Sequence, residues 1–74
     1  MKTEVIKTIH LLDDVGIWAI TPNMILDYLS KQKKLTVTKQ DVLDELSELS
    51  AADAIAWDAT KSYIRPTAYI KELN

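Results

Sequence analysis

The residues of this chain that could do acid–base or metal chemistry are few. His10 is the only histidine, and cysteine is absent from the 74 residues. One histidine does not complete a metal site, and without cysteine there is neither a disulfide nor a thiolate zinc site. Asp13 and Asp14 are adjacent, and neighbouring side chains on a helix point in different directions, so they do not form a catalytic carboxylate pair. We therefore expect no enzyme activity, no metal and no cofactor.

The composition predicts one small folded domain that spans residues 1–74. Hydrophobic residues make up 47% of the chain and charged residues 27%, which suits a chain that folds. The formal net charge is −2, from nine basic and eleven acidic residues. Because phosphate neutralisation supplies much of the affinity for DNA, this balance counts mildly against DNA as a partner. No apolar run approaches the ~20 residues that cross a membrane, and we expect a cytoplasmic protein with no membrane partner.

Two helices are expected in the first half of the chain. Apolar residues at helical spacing predict the first over residues 3–14, with Thr3 as its N-cap and Gly16 just beyond its end. The pair Thr21–Pro22 predicts the start of the second helix, because threonine caps free N–H groups and proline suits the first turn. This helix is expected to run to about Lys33.

A third helix, over residues 39–50, has the clearest pattern. Thr38 stands at its N-cap position, and Asp41 takes the reciprocal position of a capping box. The apolar residues of this helix recur on one stripe, which is expected to face the core. The residues of that stripe are Val42, Leu46 and Leu49.

Three strands are expected around these helices. Residues 16–21, GIWAIT, are rich in β-branched and aromatic side chains between two breakers, and alternation would place Trp18 and Ile20 on one face. Residues 54–59 and 63–70 alternate in the same way and are joined by a turn near residues 60–62.

The order helix, strand, helix, helix, strand, turn, strand resembles the winged helix-turn-helix family. The segments that carry the resemblance are GIWAIT, TPNMILDYL, TVTKQDVLDELSEL and AIAWDATKSYI. The resemblance implies an α+β fold in which three helices accompany a small antiparallel sheet. Pro66 departs from the pattern because it lies inside the last strand, which is normally the middle one. Residues before Pro66 would then pair with the hairpin partner, and residues after it with residues 16–21.

The resemblance also implies a site for duplex DNA. In members that bind DNA, the third helix enters the major groove, while nearby cations contact phosphates. A small transcriptional regulator of this kind would act as a homodimer, because one module buries little surface. The candidate DNA-contacting residues are Lys33, Lys34, Lys39, Gln40, Ser47, Lys61 and Arg65.

The charge of the third helix favours a different partner. Residues 39–50 hold one lysine against four carboxylates, which is a poor surface to place between phosphates. A basic protein would suit it better, and aromatic residues beside Arg65 in the hairpin are typical of protein interfaces. The alternative function is therefore a protein-interaction module, such as an inhibitor or adaptor, that does not bind DNA. Its candidate residues are Asp41, Asp44, Glu48, Tyr63 and Tyr69.

Overall fold

The computed structural model describes residues 2–58 and 62–67 of the chain. These residues form a small α+β structure of three helices and a two-stranded antiparallel sheet. Within them, no helix has both the length and the apolar character needed to cross a membrane. The elements are α1 (Lys2–Asp14), α2 (Pro22–Lys31), α3 (Lys39–Ala51), β1 (Ile55–Trp57) and β2 (Ile64–Pro66).

Helix α1 begins earlier than its sequence predicts, and it ends at Asp14, shortly before Gly16. It starts at Lys2, so Thr3 lies inside the first turn, and the prediction of Thr3 as N-cap is wrong. Lysine is a good helix former, so Lys2 can join the helix ahead of Thr3. Gly16 has φ +86°, and the following N–H, that of Ile17, donates to the Leu12 carbonyl at 3.0 Å. This left-handed closure of the last turn is the role that glycine most often fills.

Helix α2 has the predicted N-cap. The Thr21 hydroxyl oxygen accepts a hydrogen bond from the Met24 N–H at 3.2 Å, and Pro22 occupies the first turn. The helix ends at Lys31, two residues before the predicted end near Lys33. Beyond it Lys34 has φ +53°, which turns the chain out of the helix.

Helix α3 confirms the predicted capping box. The Asp41 N–H donates to the Thr38 hydroxyl at 3.1 Å, and the Thr38 N–H donates to Asp41 Oδ2 at 3.0 Å. The helix ends at Ala51, and Asp53 then adopts φ +58°. The buried residues of α3 are the predicted stripe of Val42, Leu46 and Leu49.

The hairpin is shorter than the sequence predicts. Strands β1 and β2 pair in a register that sets Ile55 opposite Pro66 and Trp57 opposite Ile64. The Thr67 N–H then donates to the Ala54 carbonyl at 3.0 Å, which continues the contact by one residue. At the other end, the Asp58 N–H donates to the Tyr63 carbonyl at 3.1 Å, although neither residue belongs to a strand. The predicted strand residues 59 and 68–70 lie outside the described residues, as does most of the turn at 60–62.

The predicted strand over residues 16–21 does not form. Only Ile20 contributes, as an isolated bridge in which the Ile64 N–H donates to the Ile20 carbonyl at 2.8 Å. Antiparallel pairing would set Pro22 opposite Ser62 on one side of this bridge and Trp18 opposite Pro66 on the other. Proline has no N–H, so each extension would lack one of its two hydrogen bonds, which disfavours a longer ladder.

The same geometry corrects two other predictions. The prediction that residues before Pro66 pair with the hairpin partner is confirmed, since Ile64 and Arg65 pair with β1. The predicted division at Pro66 is wrong, because Ile64 also bonds to Ile20, while Thr67, after the proline, bonds to the hairpin partner. Trp18 and Ile20 do not share a face, since Trp18 is 70% exposed and Ile20 is 1% exposed. Without a strand, the alternation on which that prediction depended does not apply.

The core lies where the three helices meet the inner face of the hairpin. Helix α2 packs against α1 and α3, while α1 contacts β2 and α3 contacts β1. The buried apolar residues form one cluster. They are Val5, Ile6, Ile9, Ile20, Ile25, Leu29, Val42, Leu46, Leu49, Ala54, Ile55 and Ile64.

Candidate functional site

The side of α3 that faces away from the core carries exposed carboxylates. Burial of the apolar stripe leaves Asp41, Asp44 and Glu48 on the opposite side of the helix, and all three are exposed. We refer to these three residues as the acidic face. The structure therefore brings together the three acidic candidates predicted for a protein partner.

The acidic face is retained at a local energetic cost. Asp44 and Glu48 are one helical turn apart, and like charges at this spacing repel each other. Glu48 also lies in the last turn of α3, which contains no basic residue. The negative end of the helix dipole disfavours a carboxylate there.

Two members of the acidic face also have roles within α3. Asp41 belongs to the capping box, and Asp44 Oδ1 accepts a hydrogen bond from Gln40 Nε2 at 2.8 Å. A carboxylate has about four acceptor positions, so a single bond leaves it able to accept from a partner. Asp44 and Glu48 are therefore the members of the face best suited to binding, because Asp41 is needed for folding.

Glu45 adds negative charge beside this face, and sequence reasoning did not identify it. Its side chain is partly buried, and Oε2 is fully buried without a hydrogen-bond partner among the described residues. A buried oxygen without a partner lowers stability. The sequence carries no signal for this, because burial at the edge of a helix stripe depends on neighbouring elements.

A groove separates the C-terminal half of α3 from strand β1. Its volume is about 480 Å³. Leu43 and Trp57 are partly buried there, and Trp57 also packs against the core. We call it the α3–β1 groove. Its lining residues are Leu43, Ser47, Ser50, Ala51 and Trp57.

A second groove, of about 380 Å³, runs beside the N-terminal half of α3. Leu43 lines both grooves, so together they follow α3 along much of its length. Lys39 lines this second groove, whereas none of the carboxylates of the acidic face does. Its lining residues are Thr21, Pro22, Asn23, Lys39, Leu43 and Ser62.

The residues predicted to contact DNA lie on several elements. Lys33, Lys34 and Lys39 are exposed around the connection from α2 to α3. Gln40 donates its side-chain N–H to Asp44, so this predicted base reader is engaged within α3. Ser47 lines the α3–β1 groove, and Lys61 is outside the described residues.

Arg65 belongs to a different surface from α3. Its guanidinium carbon lies 5.9 Å from the centroid of the Trp18 ring, within the usual range of a cation–π contact. Arg65 is exposed between buried Ile64 and partly buried Pro66, on the face of the sheet that points away from the helices. Tyr63 is 48% exposed and has the same parity as Arg65, whereas Tyr69 lies outside the described residues.

The described residues hold no arrangement suited to a metal ion. No group of three or more histidine, aspartate or glutamate side chains converges among them. His10 is partly buried on α1, and Asp13 and Asp14 are exposed at the end of that helix.

Comparison with known proteins does not identify a relative of this chain. No family model, no curated protein and no solved structure matches the chain. The resemblance to the winged helix-turn-helix family therefore depends on the order of the elements alone. Function must be argued from the charge and shape of the surfaces.

Proposed function

We propose that this chain is a protein-interaction module that binds a basic partner through the acidic face of α3. The observation that carries the proposal is the orientation of α3. Its apolar stripe is 0% exposed, which leaves Asp44 and Glu48 facing solvent together. Lys39 is the only cation within α3, so the face attracts lysine and arginine and repels phosphate.

We propose a winged-helix arrangement for the fold. Helices α2 and α3 then correspond to the helix-turn-helix pair, and the hairpin β1–β2 corresponds to the wing. The support is the order of the elements and the packing of α3 against both α2 and β1. In this arrangement the acidic face replaces the surface with which a DNA-binding member reads the major groove.

The like charges on α3 give a physical reason for binding a cationic partner. The repulsion between Asp44 and Glu48, and the unfavourable position of Glu48 at the helix end, are both relieved when a cation approaches. Binding should therefore weaken as salt rises, because both carboxylates are exposed and are screened within about 10 Å at 0.1 M salt.

The proposal can be tested without knowing the natural partner. A displayed library of random peptides of about 12 residues, a helical length close to that of α3, is selected on the immobilised chain. We expect enrichment of peptides that carry several lysine or arginine residues and bind less tightly at high salt. Enrichment of acidic or uncharged peptides, or no enrichment, would contradict the proposal.

A charge reversal with a matched control locates the binding surface. Glu48→Lys removes one carboxylate of the acidic face and should lower the affinity for the enriched peptides about tenfold. Asp14→Lys is the control, because Asp14 is also exposed and also lies in the last turn of its helix. Equal affinity loss in both variants would place binding elsewhere on the chain.

A DNA-binding regulator is the second candidate. The observation that favours it is the exposure of Lys33, Lys34 and Lys39 around the connection from α2 to α3. If the chain acts in this way, as a homodimer, it should shift random duplex DNA in a gel at low salt, and Lys34→Ala should weaken the shift. Absence of any shift at low salt would eliminate this candidate.

A further inference from the structure

We infer that the α3–β1 groove receives one apolar side chain of the basic partner while lysine or arginine residues beside it contact Asp44 and Glu48. The inference rests on the proposed function and adds the chemistry of the bound segment to it. It follows from the position of the groove next to the acidic face. The two features lie on adjoining sides of the same helix.

The groove has the shape and surface that an apolar side chain requires. It is lined by the partly buried side chains of Leu43 and Trp57 and by the small residues Ser47, Ser50 and Ala51. Small residues on a helix allow a partner to approach its backbone closely. A volume of about 480 Å³ is large enough for a single leucine or phenylalanine side chain.

The charge of α3 determines which residues can flank the apolar side chain in the bound segment. Asp44 is three residues before Ser47, and Glu48 is three residues before Ala51, so each carboxylate neighbours a groove-lining residue on the helix surface. Lys39 lies at the other end of α3, in the second groove, where it disfavours a basic residue. The bound segment should therefore place its cations toward the C-terminal half of α3.

The chain itself provides a reporter for this contact. Trp57 lines the groove, and Trp18 is the only other tryptophan in the chain. Because Trp18 is 70% exposed, Trp18→Phe should leave the fold intact and make Trp57 the sole source of tryptophan emission. A side chain that enters the groove will change the polarity around Trp57 and shift its emission.

Two labelled peptides distinguish the contribution of the groove to binding from that of the acidic face. They share the same flanking lysines and differ at one central position, which is leucine in one and serine in the other. The leucine peptide should bind about tenfold more tightly, because leucine buries apolar surface in the groove that serine lacks. Only the leucine peptide should shift the Trp57 emission of the Trp18→Phe chain.

A groove-filling variant completes the test. Ser47→Trp places a large side chain in the groove without changing charge, and Ser30→Trp is the control because Ser30 is exposed on α2. We expect Ser47→Trp to lose the preference for leucine while keeping salt-dependent binding, and Ser30→Trp to keep both.

Equal binding of the two peptides by the unmodified chain, or a preference that survives Ser47→Trp, would overturn the groove inference alone. If neither peptide binds in a salt-dependent manner, the proposed function fails as well.

Discussion

A residue with a positive φ angle follows shortly after the end of each helix. Gly16, Lys34 and Asp53 have φ angles of +86°, +53° and +58°. Only Gly16 is a glycine, and a side chain in this conformation is strained by contact with its own backbone. The turns after α2 and α3 therefore keep a local strain that the turn after α1 avoids.

Gly16→Ala should destabilise the fold through the backbone alone. No heavy atom lies within 4 Å of the position that a Cβ would occupy, so the substitution meets no steric obstacle from the rest of the protein. The left-handed conformation costs a non-glycine residue about 1 kcal/mol. Urea unfolding should report a free energy of unfolding lower by about that amount, and an unchanged value would show that the φ angle is not maintained in solution.

Glu48→Lys should raise stability although it lowers affinity. The substitution removes the repulsion with Asp44 and places a cation at the negative end of the α3 dipole. Each effect contributes roughly 0.3–0.5 kcal/mol at an exposed site. The free energy of unfolding, measured by urea denaturation at low salt, should increase, and the gain should shrink as salt is added. A loss of stability would mean that Glu48 has a stabilising contact within the fold.

At the scale of the elements, α3 depends on its capping box. Thr38 and Asp41 exchange hydrogen bonds of 3.0 and 3.1 Å, which satisfy two backbone N–H groups that the helix leaves free. Because α3 carries both the acidic face and one wall of the α3–β1 groove, fraying of its first turns would disturb the site as well as the fold.

Thr38→Ala should therefore lower the free energy of unfolding by about 1 kcal/mol. Thermal unfolding followed by far-ultraviolet circular dichroism will measure the change. Thr36→Ala is the matched control, since Thr36 is exposed in the connection before α3 and should be replaceable at little cost. Equal effects of the two substitutions would argue against a capping role for Thr38.

The hairpin shows how prolines limit an element. Pro66 lies opposite Ile55 in the register, and its nitrogen faces away from β1, so the ladder between β1 and β2 does not need the missing N–H. On the other side, the absent N–H of Pro66 removes one of the two hydrogen bonds that a pair with Trp18 would make, and Pro22 has the same effect beyond Ile20. The two prolines thus permit the hairpin and disfavour a third strand.

At the scale of the whole molecule, the core is small and depends on few side chains. The described residues have a radius of gyration of 11.0 Å, and a core of this size supplies a net stability of only about 3–5 kcal/mol. Ile64 is 0% exposed, and its strand contacts both β1 and α1. It therefore joins the hairpin to the helices.

Ile64→Ala should cost about 2–5 kcal/mol, an amount comparable with the whole stability of the domain, so much of the protein should be unfolded at room temperature. Ile64→Val should cost only about 1 kcal/mol and preserve a cooperative unfolding transition. Circular dichroism melting curves of the two variants will distinguish these outcomes. A well-folded Ile64→Ala protein would show that the hairpin contributes little to the core.

Local sequence by itself determined the three helices and the acidity of α3. Thr21–Pro22, the pair Thr38 and Asp41, and the apolar stripe of α3 act between residues a few positions apart, so their effect does not depend on the rest of the fold. The tertiary structure alone decided the extent of the sheet, the exposure of Trp18 and the existence of the α3–β1 groove. Backbone pairing such as that of Ile20 with Ile64, and a space bounded by Leu43 and Trp57, depend on residues far apart in the chain, whose approach is set only when the core assembles.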